Sequence, residues 1–265
     1  MPLPFALDRI ESWQTARRRA GRMLVALDFD GTLAPIVEDP GRAALPPATR
    51  AALERLAARP DTDVAIISGR ALEDLRARVG LEEIYYGGNH GLEIEGPGVQ
   101  RVHEGAAASR RRIAACAELL RKRLSSIEGV EIEDKGLTLS VHYRRVARRE
   151  EAERVRVVAR AACEGREGVK VTEGKAVVEV RPDVDWDKGR ATRFILAALE
   201  AGAGTGVVAI FIGDDRTDED AFRALRGRGD GVVVAPAPPP DTAATAWARS
   251  TEEVVAVLEA LAEPG

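Results

Sequence analysis

Two groups of aspartates have the spacing needed for paired carboxylate chemistry. Asp28 and Asp30 are separated by one residue in the segment LVALDFDGT. Asp214, Asp215 and Asp218 lie close together in the segment GDDRTDED. Carboxylates that share one small space repel each other unless a cation or a shared proton relieves them. An all-oxygen set of this kind favours Mg²⁺ as the cation.

A hydroxyl and an ammonium group occur at two other positions, Ser68 just before one predicted helix and Lys188 at the start of another. Ser68 follows the apolar segment DVAII, and Lys188 follows Asp187, which is a good N-cap for a helix. A helix N-terminus, a hydroxyl and an ammonium group together form a phosphate-binding set. An acidic metal site facing a phosphate site predicts phosphoryl transfer, in which the metal and Lys188 neutralise developing charge.

The elements that carry these residues predict a parallel sheet covered by helices. The apolar segments LVAL, DVAII and VVAIFI are too short for helices and too continuous for half-exposed strands, so each predicts a buried strand. Segments with helical spacing lie between them, as in an α/β fold. Ligands bind beyond the carboxyl ends of the strands in such a sheet, and Asp28, Ser68 and Asp214 follow the ends of these three strands.

The outer parts of the chain complete this predicted core. Residues 7–20 have the spacing of a short amphipathic helix, and residues 84–86 begin another strand. Residues 231–235 predict a further strand, which is followed by a proline-rich loop. Residues 251–261 predict the final helix.

The middle of the chain has a different pattern, in which one helix and two strands occur twice. The helices are predicted over 106–124 and 147–163, and the strand pairs over 130–133 with 137–143 and over 169–172 with 176–181. This pattern predicts a small α+β domain, residues 104–183, inserted into a core made of residues 1–103 and 184–265. The predicted fold class is therefore α/β, with a Rossmann-like core and an inserted α+β domain.

Composition limits the location and the partners that we expect. The chain has 265 residues, of which 45% are hydrophobic and 31% charged, as is ordinary for a soluble globular protein. No apolar segment approaches the ~20 residues of a membrane-spanning helix. The N-terminus lacks the basic start and apolar core of a signal peptide. We expect a cytoplasmic monomer without membrane partners, and Cys116 and Cys163 as buried, reduced thiols.

The net charge of −4 is unevenly distributed along the chain. Residues 101–183 contain 19 Lys and Arg against 14 Asp and Glu, whereas the rest contains 20 against 29. Runs of arginine in the middle raise the question of nucleic-acid binding. Glutamates interleave with them and no aromatic residues accompany them, so we expect solvated helix faces and no nucleic-acid partner. A mildly basic domain over an acidic metal site would instead suit a phosphorylated substrate.

The motifs together resemble those of the haloacid dehalogenase-like phosphatases. DFDGT, the strand ending at Ser68, Lys188 at a helix start and GDDRTDED occur in the order of the four motifs of that superfamily. The segments LDFDGTLAPIVEDP, ISGR, GNHG, LSVHYR, VVEVRP, WDKG and GDDRTDEDAF narrow the resemblance to the trehalose-6-phosphate phosphatases. This resemblance implies Mg²⁺-dependent hydrolysis of trehalose 6-phosphate, a small-molecule sugar phosphate, within trehalose biosynthesis. It also implies that the middle domain is an αββαββ cap that determines substrate specificity.

The resemblance implies a role for each residue of the motifs. Asp28 would be the nucleophile that forms an aspartyl-phosphate. Asp30 would protonate the leaving sugar hydroxyl and then deprotonate the attacking water. Ser68 and Lys188 would hold the phosphoryl oxygens.

The metal-binding set implied in the same way contains Asp28, the backbone carbonyl of Asp30, and Asp214. Asp215 and Asp218 would support it, with Asp218 also counted among the residues around the substrate. A second interpretation of Asp215 is that it only caps the helix that follows.

The implied substrate-binding residues come from both predicted domains. In the middle domain, Glu133 and Lys135 of EDKG and Glu179 of VVEVRP would contact the sugar. Arg70 could bind phosphate or pair with an acidic neighbour, and both interpretations stay open. The full substrate-binding set is Gly69, Arg70, Asn89, His90, Gly91, Glu133, Lys135, Arg144, Glu179 and Asp218.

Two alternative functions fit the same motifs. One is another sugar-phosphate phosphatase with a similar cap, acting on sucrose phosphate or a mannosyl phosphoglycerate. The other is a non-catalytic phospho-acceptor domain in which Asp28 is phosphorylated for signalling. Asp30 argues against the second, because an acid/base group two residues away would promote turnover.

Overall fold

The computed structural model describes residues 3–174, 176–203 and 206–264 of the chain. The chain divides into two compact units, the first comprising Met1–Arg101 with Trp186–Gly265 and the second comprising Val102–Asp185. The described residues form the strands β1 (Met23–Leu27), β2 (Thr62–Ile67), β3 (Tyr85–Gly88), β4 (Glu93–Gly96), β5 (Val99–Val102), β6 (Glu131–Asp134), β7 (Leu139–His142), β8 (Val169–Gly174), β9 (Val177–Pro182), β10 (Val208–Gly213), β11 (Gly229–Val234) and β12 (Ala246–Ala248). They also form the helices α1 (Ile10–Ala20), α2 (Pro47–Ala57), α3 (Leu72–Val79), α4 (Glu104–Leu124), α5 (Arg149–Cys163), α6 (Lys188–Ala203), α7 (Asp218–Ala224) and α8 (Thr251–Ala262). None of these helices combines the length and apolar character that crossing a bilayer requires.

The central strand of the first unit, β1, is buried on both faces. The sheet has the order β12-β11-β10-β1-β2-β3-β4-β5, and β1 pairs in parallel with both β10 and β2. Val25 and Leu27 pack on one face with residues of α2 and α8. Leu24 and Ala26 pack on the other face with residues of α6 and α7. This two-sided burial explains why the sequence of the strand is an uninterrupted apolar run.

The structure confirms the predicted α/β class and corrects several elements. The helix predicted over 7–20 is a 3₁₀ turn at Ala6–Arg9 followed by α1. The loop predicted before the last helix contains β12, which pairs in parallel with β11. At the other edge of the sheet, the segment Gly96-Pro97-Gly98 predicts a hairpin, and β4 and β5 are neighbouring strands on its two sides, as predicted. The pairing of β4 with β3 is antiparallel. The core sheet is therefore mixed at one edge and parallel around β1.

The second unit is a four-stranded antiparallel sheet with two helices on one face. Its strand order is β6-β7-β9-β8. Leu139, Val141 and Val178 are buried and pack with residues of α4 and α5. Cys116 on α4 and Cys163 on α5 are free, buried thiols in this core, as the sequence predicts. Because strand residues alternate between faces, the residues between these apolar positions point away from the helices.

Candidate active site

Asp28 lies just beyond the carboxyl end of β1, where the chain leaves the sheet. It is 5% exposed, and its backbone N–H donates to the carbonyl of Ile212 on β10 at 2.9 Å. Since β1 and β10 are parallel neighbours, this bond places Asp28 beside Asp214, which follows the end of β10. Burial raises the pKa of Asp28 well above its usual range, although the ammonium of Lys188 opposes this rise.

Lys188 is the first residue of α6 and is buried beside Asp28. Its Nζ donates to Oδ1 of Asp28 at 2.8 Å and to Oδ1 of Asp218 at 2.6 Å. Burial alone would lower the pKa of Lys188, but the two carboxylates outweigh it and raise this pKa. The side chain is therefore positively charged at neutral pH. The predicted N-cap is present as well, because Oδ1 of Asp187 accepts from the backbone N–H of Arg190 at 2.8 Å.

Three carboxylates lie close together at this end of the sheet. Asp28, Asp214 and Asp218 each offer one oxygen, and these oxygens lie within 4.8 Å of one another. Burial and the charge of Asp218 raise the pKa of Asp214 to about 7. Oδ1 of Asp214 is buried and has no hydrogen-bond donor among the described residues. One ammonium group balances only part of this negative charge, so the donor set and the unpaired oxygen fit a divalent cation with oxygen ligands.

Asp215 and Asp218 differ in burial and in their contacts. Asp218, the first residue of α7, is fully buried, and its Oδ2 accepts from the backbone N–H of Asp215 at 2.9 Å. The Asp215 side chain instead accepts from the backbone N–H of Arg216 at 2.6 Å, and Asp215 is exposed. The carboxylate cluster of the described residues therefore contains Asp218 and not Asp215. Asp218 links the ammonium of Lys188 to the loop after β10.

Gly31 lies in the turn that directly follows Asp30. Its φ of +82° lies in the left-handed region, and its N–H donates to the carbonyl of Ala34 at 2.8 Å. A Cβ at this position would overlap the carboxylate of Asp214. Glycine is therefore required here both by the backbone conformation and by the close approach of a candidate metal ligand.

Ser68 is buried beyond the carboxyl end of β2, the strand next to β1. Its N–H donates to the carbonyl of Gly87 at 2.9 Å, and its Oγ accepts from the backbone N–H of Arg70 at 3.3 Å. A Cβ on the intervening Gly69 would lie 2.8 Å from Cε1 of His90. The segment after β2 is thus packed closely against the turn after β3, which holds the Ser68 hydroxyl at the same edge of the sheet as Asp28.

The turn after β3 contains the predicted residues Asn89, His90 and Gly91, all with left-handed backbone conformations. The His90 N–H donates to the carbonyl of Ser68 at 2.8 Å, and the Asn89 N–H donates to the carbonyl of Arg70 at 2.7 Å. Both side chains are buried. The backbone of this turn therefore fixes the Ser68–Arg70 segment, while Nδ2 of Asn89 is held by Glu93 at 2.9 Å.

Arg70 pairs with acidic residues, which is one of the two interpretations that the sequence leaves open. Its Nε and Nη2 donate to the two carboxylate oxygens of Asp30 at 2.7 and 2.6 Å. Its Nη1 donates to Oδ2 of Asp74 at 2.9 Å. The Asp30 side chain is more exposed to solvent than that of Arg70, with an exposed fraction of 39%.

In the second unit, two of the predicted sugar-binding carboxylates lie on one row of the sheet. Glu133 pairs in register with Ser140, and Ser140 pairs with Glu179, so the three residues share the face opposite the helices. Oε2 of Glu133 lies 3.0 Å from Nε2 of His142 and 3.5 Å from Nζ of Lys135. Arg144 follows β7 and is exposed.

Three residues that contact or neighbour the predicted site residues are not themselves predicted from the sequence, namely Asp74, Ser140 and His142. Asp74 holds Arg70 from four residues later, in the first turn of the helix that follows Arg70, and this short spacing of opposite charges was a usable signal. His142 and Ser140 lie two residues apart in LSVHYR, and strand alternation places both on the face that carries Glu133. The pairing partners depend on strand register, which the sequence does not reveal.

Comparison with known proteins identifies the family of this chain. The family model described as trehalose-phosphatase matches residues 26–253. The chain is 40% identical to a probable trehalose-phosphate phosphatase 9 of Oryza sativa subsp. japonica, over 97% of this chain and 74% of that protein. It is 44% identical to the trehalose-phosphate phosphatase of Mycobacterium marinum over 80% of this chain, and the match spans only 54% of the length of that protein.

A solved structure shows the same fold. The C-terminal domain of the Candida albicans trehalose-6-phosphate phosphatase superposes with a TM-score of 0.77 and 24% identity, over 98% of both chains. The chain also shares its fold with a haloacid dehalogenase-like hydrolase from Bacteroides thetaiotaomicron, with a TM-score of 0.60 and 17% identity over 90% of this chain and 98% of that one. The chain belongs to the trehalose-phosphatase family.

Proposed function

We propose that this protein is a Mg²⁺-dependent phosphatase that hydrolyses trehalose 6-phosphate to trehalose and inorganic phosphate. The observation that carries this proposal is the contact of buried Lys188 with both Asp28 and Asp218, beside the unpaired oxygen of Asp214. This arrangement supplies a nucleophile, a fixed positive charge and oxygen ligands at one edge of the sheet. We infer the substrate from the names of the relatives, which are trehalose-phosphate phosphatases.

The chain supplies the groups for two successive displacements at phosphorus. An Asp28 oxygen attacks phosphorus, the bond from phosphorus to the sugar oxygen breaks, and that oxygen receives a proton from Asp30. A water molecule then attacks the aspartyl-phosphate, gives a proton to Asp30, and releases phosphate and the Asp28 carboxylate. Lys188 and the Ser68 hydroxyl hold phosphoryl oxygens in both steps. Bound Mg²⁺, held by Asp28, Asp214 and the backbone carbonyl of Asp30, would offset the negative charge of the phosphoryl group.

The second unit is the proposed source of substrate selection. Glu133 and Glu179 flank Ser140 on one row, so their strands are about two strand spacings, or roughly 10 Å, apart. Side chains at this separation can contact hydroxyls on different parts of a disaccharide. Carboxylates accept from sugar hydroxyls and the Lys135 ammonium donates to them. The cytoplasmic location and monomeric state expected from the sequence belong to the same proposal.

The test is phosphate release from a panel of sugar phosphates, measured with Mg²⁺ and with EDTA. The panel contains trehalose 6-phosphate, sucrose 6-phosphate, glucose 6-phosphate and a mannosyl phosphoglycerate. We expect the highest kcat/KM for trehalose 6-phosphate and loss of activity in EDTA. A higher kcat/KM for another member of the panel would reject the substrate. A stable phosphoenzyme without phosphate release would support the phospho-acceptor alternative.

A further inference from the structure

Most of the hydrogen-bond donors of the Arg70 guanidinium are bonded to other residues of the chain. Besides its two bonds to Asp30 and one to Asp74, its Nη2 donates to the carbonyl of Pro40 at 2.9 Å. Four of its five N–H donors are therefore occupied. The side chain is 8% exposed. Little of the group remains available for a phosphoryl oxygen.

Asp30 obtains its orientation from this contact. Both carboxylate oxygens accept from Arg70, and such a paired arrangement fixes the plane of the carboxylate as well as its distance. The carboxylate is otherwise half-exposed, so an unpaired Asp30 would sample several rotamers. An acid/base group must meet the leaving oxygen within hydrogen-bond reach, and small displacements of it reduce the rate.

The guanidinium is itself anchored on both sides. Asp74 holds Nη1 from the first turn of α3, and the Phe29 ring lies 5.3 Å from Cζ. Arg78, one turn after Asp74, donates to both oxygens of Asp74 at 2.9 and 2.8 Å. Asp74 thus connects two arginines, of which only Arg70 reaches Asp30.

The backbone of Arg70 has a separate function in the same site. Its N–H donates to Oγ of Ser68 at 3.3 Å, while its carbonyl accepts from Asn89 at 2.7 Å. The main chain therefore supports the hydroxyl proposed to bind phosphate, and the side chain reaches the carboxylate of Asp30, 40 residues earlier in the chain.

We propose that Arg70 is a positioning residue for Asp30 and not a ligand of the phosphoryl group. Its guanidinium, anchored by Asp74 and the carbonyl of Pro40, sets the orientation of the Asp30 carboxylate for the proton transfers. The inference rests on the proposed function, because it assigns a partner to the acid/base residue of that reaction. It differs from direct phosphate binding in one measurable respect, which is the dependence of the rate on the leaving group.

The experiment measures kcat/KM for trehalose 6-phosphate, phenyl phosphate and 4-nitrophenyl phosphate. This parameter reports the first displacement, in which the sugar oxygen needs a proton and 4-nitrophenolate needs almost none. Arg70→Lys keeps the charge but loses the paired geometry. We expect a loss of about 10- to 100-fold on trehalose 6-phosphate and less than about threefold on 4-nitrophenyl phosphate. Phenyl phosphate should fall between them.

The matched control is Arg78→Lys, which weakens the same Asp74 network without a contact to Asp30. It should change all three substrates by less than about threefold. The double variant Asp30→Asn/Arg70→Lys should be no slower than Asp30→Asn alone, because no carboxylate remains to be positioned. Losses that multiply in the double variant would overturn the proposal, as would an equal loss on all three substrates from Arg70→Lys.

Two controls distinguish an effect on the orientation of Asp30 from a loss of protein stability and from a wrongly assigned substrate. Thermal unfolding identifies a variant that is merely unstable, and Asp74→Asn then replaces Arg70→Lys. Asp74→Asn should change the ratio of the substrates in the same direction by a smaller factor. Failure of the wild type on trehalose 6-phosphate would reject the proposed substrate, while the two aryl phosphates would still test the role of Arg70.

Discussion

Nζ of Lys188 lies 2.8 Å from Oδ1 of Asp28, although 160 residues separate them in the chain. The second unit, Val102–Asp185, occupies about half of that separation. The ion pair is buried, with side-chain exposures of 2% for Lys188 and 7% for Asp28. It joins the two halves of the first unit at the edge of the sheet where the carboxylates converge.

Removing the ammonium group of this pair should destabilise the protein. Lys188→Met keeps most of the side-chain length but leaves Asp28 and Asp218 as buried carboxylates without their cation. Loss of one partner of a buried pair costs about 3–5 kcal/mol, so the midpoint of chemical denaturation in EDTA should fall. A variant as stable as the wild type would contradict the role of Lys188 as the counter-charge.

A second variant separates charge balance from catalysis. Lys188→Met/Asp218→Asn removes one of the two stranded charges and should regain part of the lost free energy of unfolding. It should not regain phosphate release, because Lys188 is also proposed to hold a phosphoryl oxygen. Recovery of activity together with stability would reject that second role.

The free energy of unfolding of the metal-free protein should decrease between about pH 4 and pH 7. Burial raises the pKa of Asp214 to about 7 in the folded state, against 3.8 for the ordinary carboxyl group. The folded state therefore binds a proton that the unfolded state has already lost, and stability falls as pH rises through this window. Denaturant unfolding in EDTA at several pH values measures the effect.

Mg²⁺ should reverse this trend, because it binds the ionised form of the cluster. The stabilisation on adding Mg²⁺ should be larger at pH 7.5 than at pH 5. Asp214→Asn is the control, since it should flatten the pH dependence in EDTA and reduce the stabilisation by Mg²⁺. A pH dependence in EDTA that is the same in Asp214→Asn and the wild type would contradict the assignment.

Gly31→Ala should destabilise the protein more than Gly21→Ala does. Both glycines have similar left-handed φ values, +82° and +81°, so the conformational cost of alanine is about 1–2 kcal/mol for each. A Cβ at Gly21 meets nothing within 4 Å, whereas one at Gly31 overlaps the carboxylate of Asp214. The expected difference in unfolding free energy therefore measures the close packing at the site.

The same pair of variants tests the position of Asp214 in the metal site. Gly31→Ala should also raise the Mg²⁺ concentration that gives half-maximal activity, and Gly21→Ala should not. Equal effects of the two substitutions on both stability and Mg²⁺ dependence would show that the contact with Asp214 has no consequence.

Glu179→Ala should reduce kcat/KM for trehalose 6-phosphate far more than for 4-nitrophenyl phosphate, which has no second sugar to hold. Binding energy remote from phosphorus can position the substrate, so kcat can fall while KM rises. The control is Glu173→Ala on β8, which removes surface ion pairs with Arg156 and Arg160, each worth ~0–1 kcal/mol. An equal loss on both substrates, or no loss on either, would reject the role of Glu179.

The central strands and the residues that follow them can be predicted because a strand buried on both faces has an uninterrupted apolar sequence. The residues of β1 enter two different cores, so the strand has no polar position before Asp28. The same reasoning locates β2 and β10, and parallel pairing then brings the residues that follow them to one edge. In contrast, β12 is three residues long and shows no periodicity.

The unpredicted parts of the site depend on register and side-chain direction. Asp218 belongs to the carboxylate cluster and Asp215 does not, because one begins a helix facing the site and the other lies in an exposed turn. The Arg70–Asp30 contact joins two loops, and no local spacing connects them. The row of Glu133, Ser140 and Glu179 requires the pairing of three strands.

The most direct test of the account is steady-state phosphate release from trehalose 6-phosphate by the wild type and by Asp28→Asn, both in saturating Mg²⁺. The amide keeps the shape of the side chain but cannot act as the nucleophile. We expect rapid release by the wild type and none above background by the variant, with thermal unfolding showing that the variant is folded. Phosphate release by Asp28→Asn at a rate near that of the wild type would contradict the account.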